Sequence, residues 1–521
     1  MRTKTLKSLV YFFMAATLLF GCRNVESSQQ IYVTDMADGR IFQRDKNGQY
    51  DLAITGGTNN VAGAIEARIV EADTENEVVA WTVIDNDASN GRFSGTLKGI
   101  PQGGWYNIQV RPSNNHSITA TGSTKFGIGV LILTAGQSHM DLWYEAFLLV
   151  PEEWEAFGEV AVNPLTRMYR HEQVLQQGPK WTGWQPVTGV GARIFANKLQ
   201  EALKVPVGLL DYAVGGSALW QKNTTEVKPN IIRLLISGYG WWLPDDSGKF
   251  PEQNNYSVLK AGLDSIDNKV EAALWIQGDT DAGSGESTDY YKKGLAELYS
   301  QLRSDTKTPD LPIFTSLLPR MGHLKLDLFL GLLNLDYPPN GDQERHNIRK
   351  AQEQSVHEDP YSFLGATTVD LPLVMDNVHH NPLGQQIQAE RMAQAVLHIL
   401  LDSGDYTYHR GPKIEGVEIV DASTLDVHIK HHGGNDFSPN TDIKGFEVLL
   451  GESSATPTKA FRYDADTIRL KIDYNTDNVT GVRYLFGVNP DDADLQSYVD
   501  EYVHDNSKMQ LPLEGGTLGL P

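Results

Sequence analysis

The chain has 521 residues, more than one ordinary domain holds, so two or three domains are expected. Hydrophobic residues make up 40% and charged residues 21%, which excludes a disordered or fibrous chain. A formal net charge of −22 argues against nucleic acid as a partner, because that recognition needs a basic surface.

The N-terminus carries Arg2, Lys4 and Lys7, then the mainly apolar stretch Leu9 to Phe20. That stretch is too short to span a bilayer comfortably and reads as a signal-peptide core over residues 1–21. It runs into Leu19-Phe20-Gly21-Cys22, which resembles the bacterial lipobox. The resemblance implies lipidation of Cys22, anchorage in the outer membrane of a bacterium, and a short tether over residues 22–30. Cys22 is the single cysteine, so no intramolecular disulfide and no downstream thiol nucleophile are possible.

From Ile31 to Ile128 the sequence alternates polar and apolar residues in short runs, such as Ile65-Ala67-Ile69, broken by turn pairs including Asn47-Gly48 and Asn90-Gly91. This pattern predicts a β-sandwich. Trp105, Tyr106 and Arg111 share one strand there; packing explains them better than sugar stacking. Residues 129–403 alternate apolar strands with helical stripes. Strands are expected at Val130–Leu133, Val207–Tyr212, Ala272–Ile276, Ile313–Leu318 and Phe363–Val369. The last helix should be capped by Asn381 with Pro382 at its first position. Strand–helix–strand repetition predicts an α/β domain with a parallel sheet and helices on both faces. Residues 404–521 return to alternation and predict a second β-sandwich. His428, His431 and His432 lie where a strand runs into a turn, which accounts for them without a metal.

Four short blocks in the middle domain carry residues suited to chemistry. The first is Gly136-Gln137-Ser138, where a buried strand ends and a helix begins. The second holds Gly215, Gly216 and Ser217. The third holds Gln277, Gly278, Asp279 and Asp281. The fourth holds Asp376 and His379. An Asp three residues before a His can hold the imidazole and stabilise its protonated form. His379 would then act as general base toward Ser138 and as general acid toward the leaving alcohol. Oxyanion donors are expected in the backbone N–H groups of Ser138 and Gly216 and in the side-chain amide of Gln277. Asp279 and Asp281 do not follow the spacing of a calcium loop. A loop leading into a helix near Ser287 explains them more simply.

In this order and spacing the four blocks resemble the SGNH (GDSL-type) hydrolases, and within them the sialate O-acetylesterase-like branch related to acetylxylan esterases. The resemblance covers about Gly129 to Leu401. It implies a flavodoxin-like three-layer α/β/α fold and metal-independent, cofactor-free ester hydrolysis. It makes Ser138 the nucleophile, Gly216 and Gln277 the oxyanion donors, and Asp376 and His379 the remaining triad members. Two positions depart from the pattern. His139 stands where the family usually has Asn, and Asp279 where it usually has Glu. Eight of the ten tryptophans fall in this domain. Trp181, Trp184, Trp241 and Trp242 lie in stretches rich in Gly and Pro, where sugar stacking and ordinary packing are equally good accounts. The function these features imply is O-acetyl removal from an acetylated oligo- or polysaccharide. A surface glycan-binding lipoprotein with an inactive SGNH domain is the alternative.

Overall fold

The computed structural model describes residues 28–146, 151–170, 183–219, 240–241, 254–322, 341–401 and 410–520. Cys22, the signal-peptide stretch, Trp181, Trp220 and Trp242 lie outside them.

The middle of the chain is built on a sheet whose central strand is β1, Phe126–Gly136. Around it lie β2 (Thr166–Arg170), β3 (Gly183–Pro186), β4 (Val207–Asp211), β5 (Ala272–Ile276), β6 (Ile313–Ser316) and β7 (Ser362–Ala366). Their order is β3-β2-β4-β1-β5-β6-β7, parallel throughout except for the β3 edge. The expected strands are present. Two more, β2 and β3, extend one edge.

Every residue of β1 is buried; Phe126 and Ile128 join the N-terminal core, and from Val130 on the side chains alternate between two further cores. Leu131, Leu133 and Ala135 face one core, which includes Tyr291, Leu295, Leu298, Ile348 and Ala351. Val130 and Ile132 face the other, with Phe195, Leu199, Met392 and Val396. An unbroken apolar run is what a strand covered on both faces needs.

The helices are α1 (Ser138–Asp141), α2 (Pro151–Phe157), α3 (Val190–Leu203), α4 (Asn255–Asp264), α5 (Asp279–Gly283), α6 (Thr288–Asp305), α7 (Asp342–Glu358) and α8 (Pro382–Leu401). Helix α6 starts where expected: the Ser287 side chain accepts a hydrogen bond from the N–H of Tyr290 at 3.3 Å. Helix α8 is capped by Asn381, whose Oδ1 accepts from the N–H of Gly384 at 2.9 Å.

The first half of β1 belongs to an N-terminal β region. It pairs in parallel with Arg40–Gln43 and antiparallel with Gly103–Pro112. The expected boundary between residues 128 and 129 therefore falls inside one continuous strand. A three-stranded sheet (Gln30–Val33, Gln49–Asn59, Arg92–Pro101) shares an apolar core with the strands around Ile65–Glu71. Trp105 packs rather than projects: its Nε1 donates to the Pro164 carbonyl at 3.1 Å, and Lys125 and Arg167 lie over its ring.

The C-terminal region contains two four-stranded sheets around one core that also takes in Val369. Buried Arg391 pairs with Asp370 at 2.7 Å, and Asp370 reaches C-terminal His504 at 2.9 Å. His431 is held by the Ala465 carbonyl at 2.8 Å.

Candidate active site

Strand order reverses at β1: β4 follows on one side of it and β5 on the other. Crevices at the carboxyl ends of parallel strands at such a reversal are where ligands bind in open α/β sheets. The ends of β1, β4 and β5 bring the first three blocks together there. Gly136 has φ +134, and a Cβ on it would lie 2.0 Å from the Ile276 carbonyl oxygen, so only glycine fits.

The turn after Gly136 carries Gln137 and Ser138. The Ser138 hydroxyl lies 2.8 Å from His379 Nε2, and His379 Nδ1 lies 2.6 Å from Asp376 Oδ2. The other carboxylate oxygen, Asp376 Oδ1, accepts from the N–H groups of Val378 (2.8 Å) and His379 (3.0 Å). An ionised carboxylate can only accept, so Nδ1 carries the proton and Nε2 is free to accept from Ser138. The structure thus joins Ser138 to His379, 241 residues further along the sequence, and through it to Asp376 in one hydrogen-bonded chain.

His139 and His380 flank this chain. The His139 ring centre lies 5.4 Å from that of His379 and 4.7 Å from that of His380. Burial holds both imidazoles well below their ordinary pKa, with the neighbouring histidine adding to it, so both are neutral. Neither reaches Ser138 in place of His379. The two positions that depart from the family pattern meet: His139 Nε2 is 3.9 Å from Asp279 Oδ2, and Asp279 is paired with buried Arg345 at 2.6 Å.

Among the described residues, the backbone N–H groups of Ser138 and Gly216 have no acceptor. Gly216 has φ +68, a left-handed conformation suited to glycine. The third expected donor requires correction. Gln277 is 1% exposed, and its Nε2 already faces Asp281 Oδ2 (2.5 Å), the Ser217 carbonyl (3.0 Å) and Gln137 Oε1 (3.2 Å). Two amide hydrogens shared among three acceptors leave none for an oxyanion.

Sequence reasoning also missed how the C-terminal region holds the loop carrying Asp376 and His379. The N–H of Leu373 donates to the Leu495 carbonyl at 2.6 Å, and Gln496 Nε2 donates to Asn377 Oδ1 at 2.7 Å. No local motif signals pairings across more than a hundred residues. Of the tryptophans, Trp241 is fully buried and its Nε1 donates to Ser217 Oγ at 2.7 Å, so it packs and does not stack sugar. Trp184 lies against Tyr169, with ring centres 5.1 Å apart. Among the described residues no group of three or more His, Cys, Asp or Glu side chains could hold a metal ion.

The family model for carbohydrate esterases, described as sialic acid-specific acetylesterase, matches residues 131–398, just over half of the chain. The chain belongs to this family. It is a carboxylic ester hydrolase, a carbohydrate acetylesterase of SGNH type. A carbohydrate acetylesterase from Xanthomonas citri resembles it in structure with TM-score 0.58 and 19% identity, over 92% of this chain and 98% of that one. A carbohydrate acetylesterase from Sinorhizobium meliloti is 10% identical, with TM-score 0.32, over 52% of this chain and all of that one. An aryl esterase from M. smegmatis is 11% identical, again with TM-score 0.32, over 52% of this chain and all of that one. No curated protein matches this esterase.

Proposed function

We propose that this esterase removes O-acetyl groups from a glycan through a Ser138–His379–Asp376 triad. The observation that carries the proposal is the hydrogen-bonded chain from the Ser138 hydroxyl through both nitrogens of His379 to Asp376. His379 Nε2 takes the Ser138 proton as Oγ attacks the acetyl carbonyl. The tetrahedral oxyanion lies between the Ser138 and Gly216 N–H groups. Collapse breaks the ester bond, and the imidazolium gives its proton to the leaving sugar hydroxyl. Water, deprotonated by the same imidazole, then attacks the acetyl-enzyme and releases acetate. Asp376 remains ionised throughout and stabilises the imidazolium.

Acetylated sialic acid is the first substrate class to test, on the strength of the family description. Helices on both faces of the central sheet support the three-layer reading, and the paired sheets with shared cores support a sandwich on either side. The sequence around Cys22 supports a lipid anchor and an outer-membrane address. Replacing Cys22 with Ser should release the chain from the membrane fraction; retention there would refute the anchor.

The decisive comparison is acetate release by the protein lacking residues 1–22 beside Ser138→Ala. Para-nitrophenyl acetate serves first, then acetylated sialic acid and acetylated xylan. Ser138→Ala should lower kcat by about 10³-fold or more. Equal rates in the two would remove Ser138 as nucleophile.

A further inference from the structure

We infer that Gln277 is a positioning residue rather than an oxyanion donor: with Thr280 it clamps the Gly216 loop so that the Gly216 N–H points at the reacting carbonyl. The inference rests on the triad reading above.

The amide of Gln277 sits where three blocks meet. Toward the first block it faces Gln137 Oε1, which also accepts from the N–H of Gly278 at 3.0 Å. Toward the second it donates to the Ser217 carbonyl. Within the third it donates to Asp281, whose carboxylate also accepts from the N–H of Leu219 at 3.0 Å. Its own Oε1 accepts from the Tyr291 hydroxyl at 2.8 Å. The carboxylate beside Nε2 fixes which end of the amide is which, because an amide oxygen there would face a second acceptor.

The loop that bears the Gly216 N–H is held from the same side by a second bond. Thr280 Oγ1 donates to the Gly216 carbonyl at 3.1 Å. Gly216 and Ser217 therefore have adjacent carbonyls tied to Thr280, in the first turn of α5, and to Gln277, three residues earlier just past the end of β5. The Ser217 N–H, in the same peptide unit as the Gly216 carbonyl, donates to the Val214 carbonyl at 3.3 Å and closes a turn whose central peptide bears the Gly216 N–H. With the two carbonyls beyond it held inward, that turn has little freedom to rearrange. The free N–H groups of Ser138 and Gly216 then form a two-donor hole. Such a hole is effective only if its donors are already oriented when charge develops.

The two readings of Gln277 diverge at Thr280. A direct donor would act independently of Thr280, whereas a clamp shares its effect with it. We would measure kcat and KM on para-nitrophenyl acetate, with thermal melting, for Gln277→Met, Thr280→Val, Thr280→Ser and the Gln277→Met/Thr280→Val pair. Thr280→Val should lower kcat about tenfold with KM within about twofold, and Thr280→Ser should restore it. The pair should fall well short of the product of the single losses, because both remove one constraint. Thr280→Val at the parent rate would overturn the inference. So would Thr280→Ser as slow as Thr280→Val, or Gln277→Met losing about 10²–10³-fold in a way that multiplies with Thr280→Val. Should Gln277→Met fail to fold, the Thr280 pair alone decides. Failure of the esterase reading itself looks different: parent and Ser138→Ala would then be equally slow.

Discussion

Replacing Asp376 with Asn tests the triad through a single atom. Asp376 Oδ1 accepts two backbone N–H groups, from Val378 and His379. In Asp376→Asn the amide oxygen must take that position, since an NH₂ there would face two donors. The amide NH₂ then occupies the Oδ2 position, 2.6 Å from His379 Nδ1. Nδ1 is forced to accept, the ring proton moves to Nε2, and Nε2–H faces the Ser138 hydroxyl at 2.8 Å. The nucleophile's proton then has no acceptor. Wrong-tautomer substitutions of this kind lower kcat by about 10⁴, equivalent to about 5.5 kcal/mol of barrier. The fold should be untouched, because the side chain keeps its shape and its backbone partners. The assay is kcat and KM for para-nitrophenyl acetate near neutral pH, alongside a melting curve. A loss below about tenfold with an unchanged melt would refute the reasoning, because some other group would then be setting the His379 tautomer.

Two further outcomes follow from buried groups around the site. Gly136→Ala should abolish soluble folded protein or lower its stability by more than about 2 kcal/mol, since a methyl group would meet the Ile276 carbonyl in a conformation costly for alanine. Melting beside the parent would refute that close approach. Asp211 is pushed up to about 7, chiefly by burial, with Asp141 adding to it and Arg170 opposing it; Glu145 adds further. Its folded pKa lies above its unfolded one, so the folded state binds the extra proton and stability falls as pH rises from about 4 to about 7. Glu353 is likewise raised to about 7, by burial and by Glu514, and acts with the same sign. The depressed histidines His139, His380, His346 and His432 act with the opposite sign over the same range, so the test is a difference. The parent's melting temperature minus that of Asp211→Asn/Glu353→Gln should fall as pH rises from about 4 to about 7. A difference that stays flat or rises would refute the assignment.

Sequence alone gave the parts of this molecule that local physics dictates. Val130–Leu133 and Ala272–Ile276 were readable because a strand buried on both faces must be apolar at every position. Strands β2 and β3 are not, because Thr-Arg-Met-Tyr-Arg alternates half-buried polar residues with buried ones and Gly-Trp-Gln-Pro, at the sheet edge, has no buried residue, so neither presents an apolar run. The expected boundary between residues 128 and 129 follows the change from alternating runs to strand–helix repetition. Gly127 and Gly129 nevertheless lie within β1, where a Cβ on either would crowd Pro206.

The site divides along the same line. Asp376 and His379 are three residues apart, and their pairing is local. Gln277 shows what a motif leaves out. A motif records where a side chain starts and not where it points. The competing acceptor, Asp281, stands one helical turn further on, and a carboxylate at that spacing draws an amide inward as readily as a reacting oxygen draws it outward. The Thr280 hydroxyl, directed at the Gly216 carbonyl, turns that local preference into a constraint on the opposite strand's loop. On the proposed reading, Asp281 and the neighbouring Thr280 support the loop that bears the Gly216 N–H, although neither is itself an oxyanion donor.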